Sequence, residues 1–119
     1  TFEGTQTLGS GNIVFGGTAG GGGIFFNTMT VANSTTLTLG PAAVVRGKTG
    51  TLGGAGKLIN QGLIAADVAG GTLTVNPAVF TNEGVLRASD GGTLKIMAAQ
   101  FTDTGTREEV NGGKILVIP

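Results

Sequence analysis

Residues 70–90 read GGTLTVNPAVFTNEGVLRASD, and residues 91–111 repeat the pattern as GGTLKIMAAQFTDTGTREEVN. The two segments share a glycine pair, a Thr-Leu step, a Phe-Thr step and a later glycine, and a third copy, GGKILVIP, begins at Gly112. Self-similarity at a fixed period of roughly 20 residues is typical of solenoids, in which each repeat buries its apolar face against the next. The sequence therefore predicts a stack of coils.

The strand pattern predicts an all-β fold, a parallel β-helix (β-solenoid) of about five to six coils with a repeat of roughly 21 residues. Thr alternates with Leu or Val, which places every second side chain in the core. No segment carries the 3.6-residue period or the capping box of a helix. A single domain over residues 1–119 is expected, with irregular Gly/Thr-rich coils over 1–49 and regular repeats over 50–119, the last one incomplete.

An earlier segment resembles the regular repeat and sets the predicted register. TLTLGPAAV at residues 36–44 aligns with TLTVNPAVF at residues 72–80, which gives Pro41 and Pro77 the same place in the repeat. Proline is tolerated there if it follows a strand, where its missing N–H is not needed. The repeat is therefore predicted to extend upstream of its regular part.

Stacking the repeats in this register predicts three ladders of core side chains. They are Leu52, Leu73, Leu94 and Ile115; Val75, Ile96 and Val117; and Leu58, Phe80 and Phe101. The predicted turn residues are Asn60, Gly62, Gly70, Gly71, Asn82, Gly84, Gly91, Gly92, Asp103, Gly105, Gly112 and Gly113. Asn or Asp tolerates the αL conformation and glycine supplies a positive φ. Stacked Asn side chains are also expected to hydrogen-bond along the axis.

The composition excludes several classes of partner. The formal net charge is zero and the pI is about 6.0, so no basic surface for nucleic acid is expected. No apolar run approaches the roughly 20 residues of a membrane span. The chain has no Cys and no His, which removes a disulfide framework and the usual ligands of transition metals. We expect no nucleic-acid partner, no membrane span, no metal and no other cofactor.

Two motifs that resemble functional elements do not meet the requirements of their chemistry. Gly47-Lys48-Thr49 resembles the end of a phosphate-binding loop, but that loop needs a glycine at position 42, where Ala stands, and a helix after it. Glu108 and Glu109 are adjacent carboxylates, and neighbours in a strand point to opposite faces, so they cannot flank one substrate bond. The sequence predicts no catalytic residue and no enzyme.

The repeat has a recognisable form: a GG-T-L-x-V/I strand, then F-T-N-x-G, then V-L-x-A. This pattern resembles the β-helical repeats of large bacterial exoproteins, such as filamentous-haemagglutinin-like adhesins and autotransporter passenger domains. The resemblance is best over residues 50–119. It implies a right-handed parallel β-helix, export to the cell surface, and a role as an adhesin, stalk or fibre, with no catalytic residues to carry over.

We expect an extracellular or cell-surface structural protein that associates with itself. The last strand consists of Lys114, Ile115, Leu116, Val117 and Ile118. It is apolar on both faces and lacks a polar cap, so it is predicted to pair with the N-terminal region of another copy. Such a head-to-tail contact propagates as a filament.

Two other functions are compatible with the sequence. A segment of a large surface adhesin would bind a host or matrix glycan, although glycan sites usually use aromatic platforms and this chain has six Phe, no Trp and no Tyr. T-x-T pairs such as Thr72/Thr74 indicate an ice-binding solenoid as a minor alternative. That array is interrupted in the next coil, where Thr93 is followed by Lys95.

Overall fold

The computed structural model describes residues 6–15, 28–47 and 49–118, and eleven strands form one sheet within them. The strands are β1 (Gln6–Phe15), β2 (Thr28–Thr30), β3 (Thr36–Gly47), β4 (Gly50–Asn60), β5 (Leu63–Ala66), β6 (Thr72–Asn82), β7 (Val85–Ser89), β8 (Thr93–Ile96), β9 (Gln100–Asp103), β10 (Thr106–Val110) and β11 (Lys114–Val117). No helix that could cross a membrane occurs in these described ranges.

All strand pairs are parallel, and they build three faces around one core. The first face stacks β2, the start of β4, the start of β6, β8 and β11. The second stacks the starts of β1 and β3, the ends of β4 and β6, and β9. The third stacks the ends of β1 and β3, then β5, β7 and β10. Parallel neighbours need a long connection, and here one full turn of the coil supplies it.

The predicted parallel β-solenoid with a repeat of about 21 residues is confirmed. The described residues form about four turns, whereas the sequence predicts five to six for the whole chain. Residues 1–5 and 16–27 lie outside the described part. The predicted right-handed coil stays a prediction.

Most of the predicted core side chains fill the interior. Leu52, Leu58, Leu73, Val75, Phe80, Leu94 and Ile96 are fully buried. The rings of Phe80 and Phe101 stack with centroids 5.4 Å apart and an interplanar angle of 7°. Phe101 and Ile115 are partly buried against the cluster. Val117 departs from the prediction: it is 41% exposed, because β11 carries no further described strand on its outer edge.

The register of the first face differs from the predicted ladders. Leu52 pairs with Val75, whereas Leu73 pairs with Gly50. Leu52 therefore belongs to the column of Val75, Ile96 and Val117, two residues from the predicted position. The predicted alignment of 51–52 with 72–73 is wrong because a Thr-Leu pair also fits the pleat two residues along, where the same side chains point inward.

The earlier segment at residues 36–44 also lies elsewhere than predicted. Leu37 pairs with Leu58 and stands on the second face, whereas Leu73 stands on the first. Pro41 and Pro77 therefore occupy different corners of the coil, since Pro77 pairs with Gly54 at the end of the first face. The similar segments TLTL at 36–39 and TLTV at 72–75 lie on different faces, so their similarity does not identify the face.

Glycine allows the coils to approach each other at the corner between the second and third faces. A Cβ on Gly84 would contact the carbonyl oxygen of Gly62 and lie 2.6 Å from the carbonyl carbon of Gln61. The obstacle is the backbone of the neighbouring coil, which cannot rotate away as a side chain can. Glycine is therefore required at this corner for close packing and not for a positive φ.

Gly84→Ala should destabilise the protein by about 1–3 kcal/mol, the usual cost of overpacking. Gly9→Ala is the matched control, because a Cβ on Gly9 would meet nothing within 4 Å. The free energy of unfolding from urea denaturation measures both variants. Equal stability of the two variants would contradict this account of the corner.

Candidate functional site

A column of polar side chains runs along the axis at the end of the second face. It consists of Asn60, Asn82 and Asp103, the last residues of β4, β6 and β9. Nδ2 of Asn60 donates to Oδ1 of Asn82 at 2.9 Å, and Nδ2 of Asn82 donates to Oδ1 of Asp103 at 2.9 Å. Both asparagines are fully buried. The predicted hydrogen bonding of stacked Asn side chains along the axis is confirmed.

The chemistry of Asp103 sets the direction of this column. An ionised carboxylate only accepts hydrogen bonds, so Asn82 must present its amide nitrogen to Asp103. The amide oxygen of Asn82 is then left for the amide nitrogen of Asn60. At the other end Leu39 occupies the column beside Asn60 and requires no hydrogen bond, so the column runs from an apolar residue to a charged one.

Two polar residues of the column, Asn60 and Asp103, also form the corner that follows them. The backbone N–H of Gly62 donates to Oδ1 of Asn60 at 3.2 Å, and that of Gly105 donates to Oδ1 of Asp103 at 3.1 Å. A side-chain oxygen that accepts from the backbone two residues on is an Asx turn. Asn60 and Asn82 end their strands directly before the corner, and neither has the positive φ of the αL conformation that the sequence suggested for this turn.

Positive φ angles recur in successive coils at the corner between the third and first faces. Gly70, Gly91 and Gly112 have φ of 77°, 79° and 81°, and Asp90 and Asn111 have φ of 54° and 50°. The side chains of Asn111 and Asp90 form a hydrogen bond of 3.3 Å across neighbouring coils. The remaining predicted turn glycines of this corner, Gly71, Gly92 and Gly113, are buried.

The last complete coil carries charges in columns that are apolar in earlier coils. Arg107 stands in the column of Val45, Ile64 and Leu86. Glu109 likewise follows Ala66 and Ala88 in its column. Neither position is predicted above to lie in a core column, although an offset of 21 residues within the regular repeat aligns Arg107 with Leu86.

These charges already have partners within their own coil. Nε of Arg107 lies 3.0 Å from a carboxylate oxygen of Asp103, whose side chain is 14% exposed. Oε2 of Glu109 accepts the backbone N–H of Ile115 at 2.8 Å. Glu108 is directed elsewhere and pairs with Arg87 at 3.0 Å. We call Asp103, Arg107 and Glu109 the charged half of the end surface.

The rest of this end is apolar and open. A groove of about 440 Å³ is lined by Ile96, Ala98, Ala99, Phe101, Val117 and Ile118. We call these residues the apolar half of the end surface. Leu116, beside the groove, is 44% exposed. Of the predicted interface, Lys114 to Val117 form β11, which pairs with β8 and with no other described strand.

Other candidate sites find less support in the described part of the chain. Gly47 ends β3 and is followed by β4 at Gly50, so no helix follows the P-loop-like motif, whose Lys48 lies outside the described residues. No group of three or more metal-ligating side chains occurs in the described ranges. Phe80 is buried and Phe101 partly buried, so neither forms an exposed platform for a sugar ring.

The chain matches no protein-family model, no curated protein and no solved structure. Its resemblance to the repeats of exported adhesins therefore depends on the sequence pattern, and arguments about function depend on the geometry of the coils.

Asn82→Leu should lower the free energy of unfolding by about 2 kcal/mol, although leucine has a similar size and Leu39 occupies the same column in an earlier coil. The variant removes the donor to Asp103 and one acceptor of Asn60, and a buried polar group without a partner costs about 1–3 kcal/mol. Asn76→Leu, at an exposed position of β6, is the control. Urea denaturation midpoints compare the two, and an unchanged midpoint for Asn82→Leu would show that the column adds no stability.

Proposed function

We propose that this chain is a structural protein of the cell exterior, a β-solenoid subunit that stacks end to end with further copies into a fibre. The observation that carries the proposal is the apolar half of the end surface beside the unpaired edge of β11. An extracellular location follows from the resemblance of the repeat to exported adhesins and forms part of the same proposal.

Because the coils stack in parallel, the strand edges at the two ends of the molecule run in the same direction and can pair with each other. At one end β9, β10 and β11 each pair with a single described strand, and at the other end β1 and β2 do the same. Because all strands are parallel, the edge of one copy can accept the opposite edge of another with the same pairing that joins neighbouring coils. The contact is heterologous and does not close, so it generates a filament.

The apolar half supplies the attraction for this contact. Val117 continues the buried column of Leu52, Val75 and Ile96 but is itself 41% exposed. A stacked coil would remove Val117 and the groove beside Phe101 from water, and burial of apolar surface is worth about 25 cal/mol per Å². Open strand edges with apolar side chains also favour strand addition.

Val117→Lys should weaken self-association at least about tenfold, one decade of Kd, because it places a charge over the core of the contact. Leu116→Lys is the matched control: Leu116 stands in the outer column after Thr74 and Lys95, so a lysine there keeps the column's character. Analytical ultracentrifugation measures association, circular dichroism checks the fold, and negative-stain imaging shows whether threads form. Unchanged association of Val117→Lys, or a parent chain that stays monomeric at all concentrations, would refute the stacking proposal.

A second candidate function is binding to ice, and the register of the first face favours it. Thr51 and Thr74 stand in one column, and Thr72 and Thr93 stand in the next outward column. Neighbouring coils lie about 4.8 Å apart and alternate residues about 6.6 Å apart along a strand, so these hydroxyl and methyl groups form a regular array. The array ends at Lys95 and Lys114, which makes it small.

Under this second function, Thr74→Lys should abolish any thermal hysteresis of the purified chain, because it places a long charged side chain in the centre of the array. Thr81→Lys, on the second face, should leave the hysteresis unchanged. Nanolitre osmometry measures the effect. A parent chain with no hysteresis and no shaping of ice crystals would eliminate ice binding as a function.

A further inference from the structure

The end surface opposes the stacking that its apolar half promotes. Asn82, Leu86 and Ala88 are fully buried, and one coil later their columns end in Asp103, Arg107 and Glu109. In the free molecule these three side chains remain in contact with water, since Arg107 and Glu109 are exposed. A coil stacked on this end would cover all three positions.

Covering these charges costs free energy that the intramolecular contacts do not return. Taking an ion pair out of water carries a desolvation penalty that its mutual attraction often does not exceed. The pair of Arg107 with Asp103 exists before stacking, and so does the hydrogen bond from the Ile115 N–H to Glu109. Stacking would therefore add the penalty without adding these interactions.

The described strands of a second copy carry apolar residue types at the matching backbone positions. By the register of β1 with β3, the first described positions in the columns of Asp103, Arg107 and Glu109 are 8, 13 and 15, where the sequence has Leu, Ile and Phe. A stack that continues the register thus sets three apolar residue types of one copy against the charged half of the other. This mismatch distinguishes the end of the molecule from the contacts between its internal coils.

We propose that Asp103, Arg107 and Glu109 form a charged brake that keeps end-to-end stacking of this chain weak and reversible. The proposal rests on the proposed function in one respect, namely that the occupant of the end surface is a second copy. The apolar half favours stacking, and the desolvation penalty of the charged half lowers the affinity of the stacked contact. Solenoids commonly use polar terminal coils to stay soluble, and here the polar character covers only part of the end.

The test replaces each charged residue by the residue that precedes it in its column. The variant Asp103→Asn/Arg107→Leu/Glu109→Ala copies Asn82, Leu86 and Ala88, and an asparagine at 103 can still accept the hydrogen bond from Asn82. Analytical ultracentrifugation should show self-association tightened at least about tenfold, one decade of Kd. Adding Val117→Lys to this variant should reverse the gain if the contact is the proposed stack.

A control variant makes the same change in net charge at side chains that point outward from the coils. Glu83→Asn/Arg87→Leu/Glu108→Ala also removes two carboxylates and one guanidinium, from side chains that pair on the outside of the coils. Its self-association should equal that of the parent. An equal gain in the control would overturn the brake, because the effect would then follow net charge and not position.

The outcomes separate the brake from the proposed function. If Val117→Lys weakens the parent but the triple variant associates no more tightly, the brake is overturned and stacking stands. If the triple variant gains affinity that Val117→Lys does not reverse, the gain comes from another surface and the brake is overturned. Should the triple variant fail to fold, Glu109→Ala alone must still tighten association, since alanine occupies this column at Ala66 and Ala88.

Discussion

The hydrogen-bonded column of Asn60, Asn82 and Asp103 is the interaction on which the arrangement of the coils depends. Apolar ladders tolerate slippage, because Leu, Val and Ile pack at any interior position of the pleat. A buried amide does not, since a shift of two residues would leave its donor and acceptor without partners at a cost of about 1–3 kcal/mol each. The column therefore specifies one register for the second face. The Asx turns that follow it fix the position of the glycine corner between the second and third faces.

Equivalent residues of successive coils stack in columns, and the residue type at the last position of each column explains why the two halves of the end surface differ in polarity. A column that is apolar throughout the interior ends in Val117, and columns that are apolar for three coils end in Arg107 or Glu109. A solenoid repeats one cross-section, so these few substitutions change the polarity of the surface beyond β9, β10 and β11 without changing the shape of the coil. In the stacking that we propose, this surface attracts a second copy at one corner and carries a desolvation penalty at the other.

Much of the core was predictable because the regular repeat has a nearly constant length. Phe80 and Phe101 could be placed in one column since their segments match residue by residue, and their rings stack. Leu52 was misplaced because a Thr-Leu pair also fits the pleat two residues along, and because the register of β4 against β6 shifts between Gly54 and Lys57. The role that we propose for Asp103, Arg107 and Glu109 was not predicted. A charged residue in a strand is expected to face the solvent, and only the register of the coils shows that it stands in a column of buried side chains.

The amino-acid sequence by itself determined the class of this protein: a period of about 21 residues, alternating apolar side chains and glycine corners permit a parallel β-solenoid and leave no helix to form. Only the tertiary structure decided which residues share a column. That choice depends on contacts between residues 21 and 22 positions apart, such as Asn82 with Asp103 and Asn60 with Asn82. The segments TLTL at 36–39 and TLTV at 72–75 have the same local preference for a strand but lie on different faces, so their places are set by the polar column and the backbone contacts of the neighbouring coil.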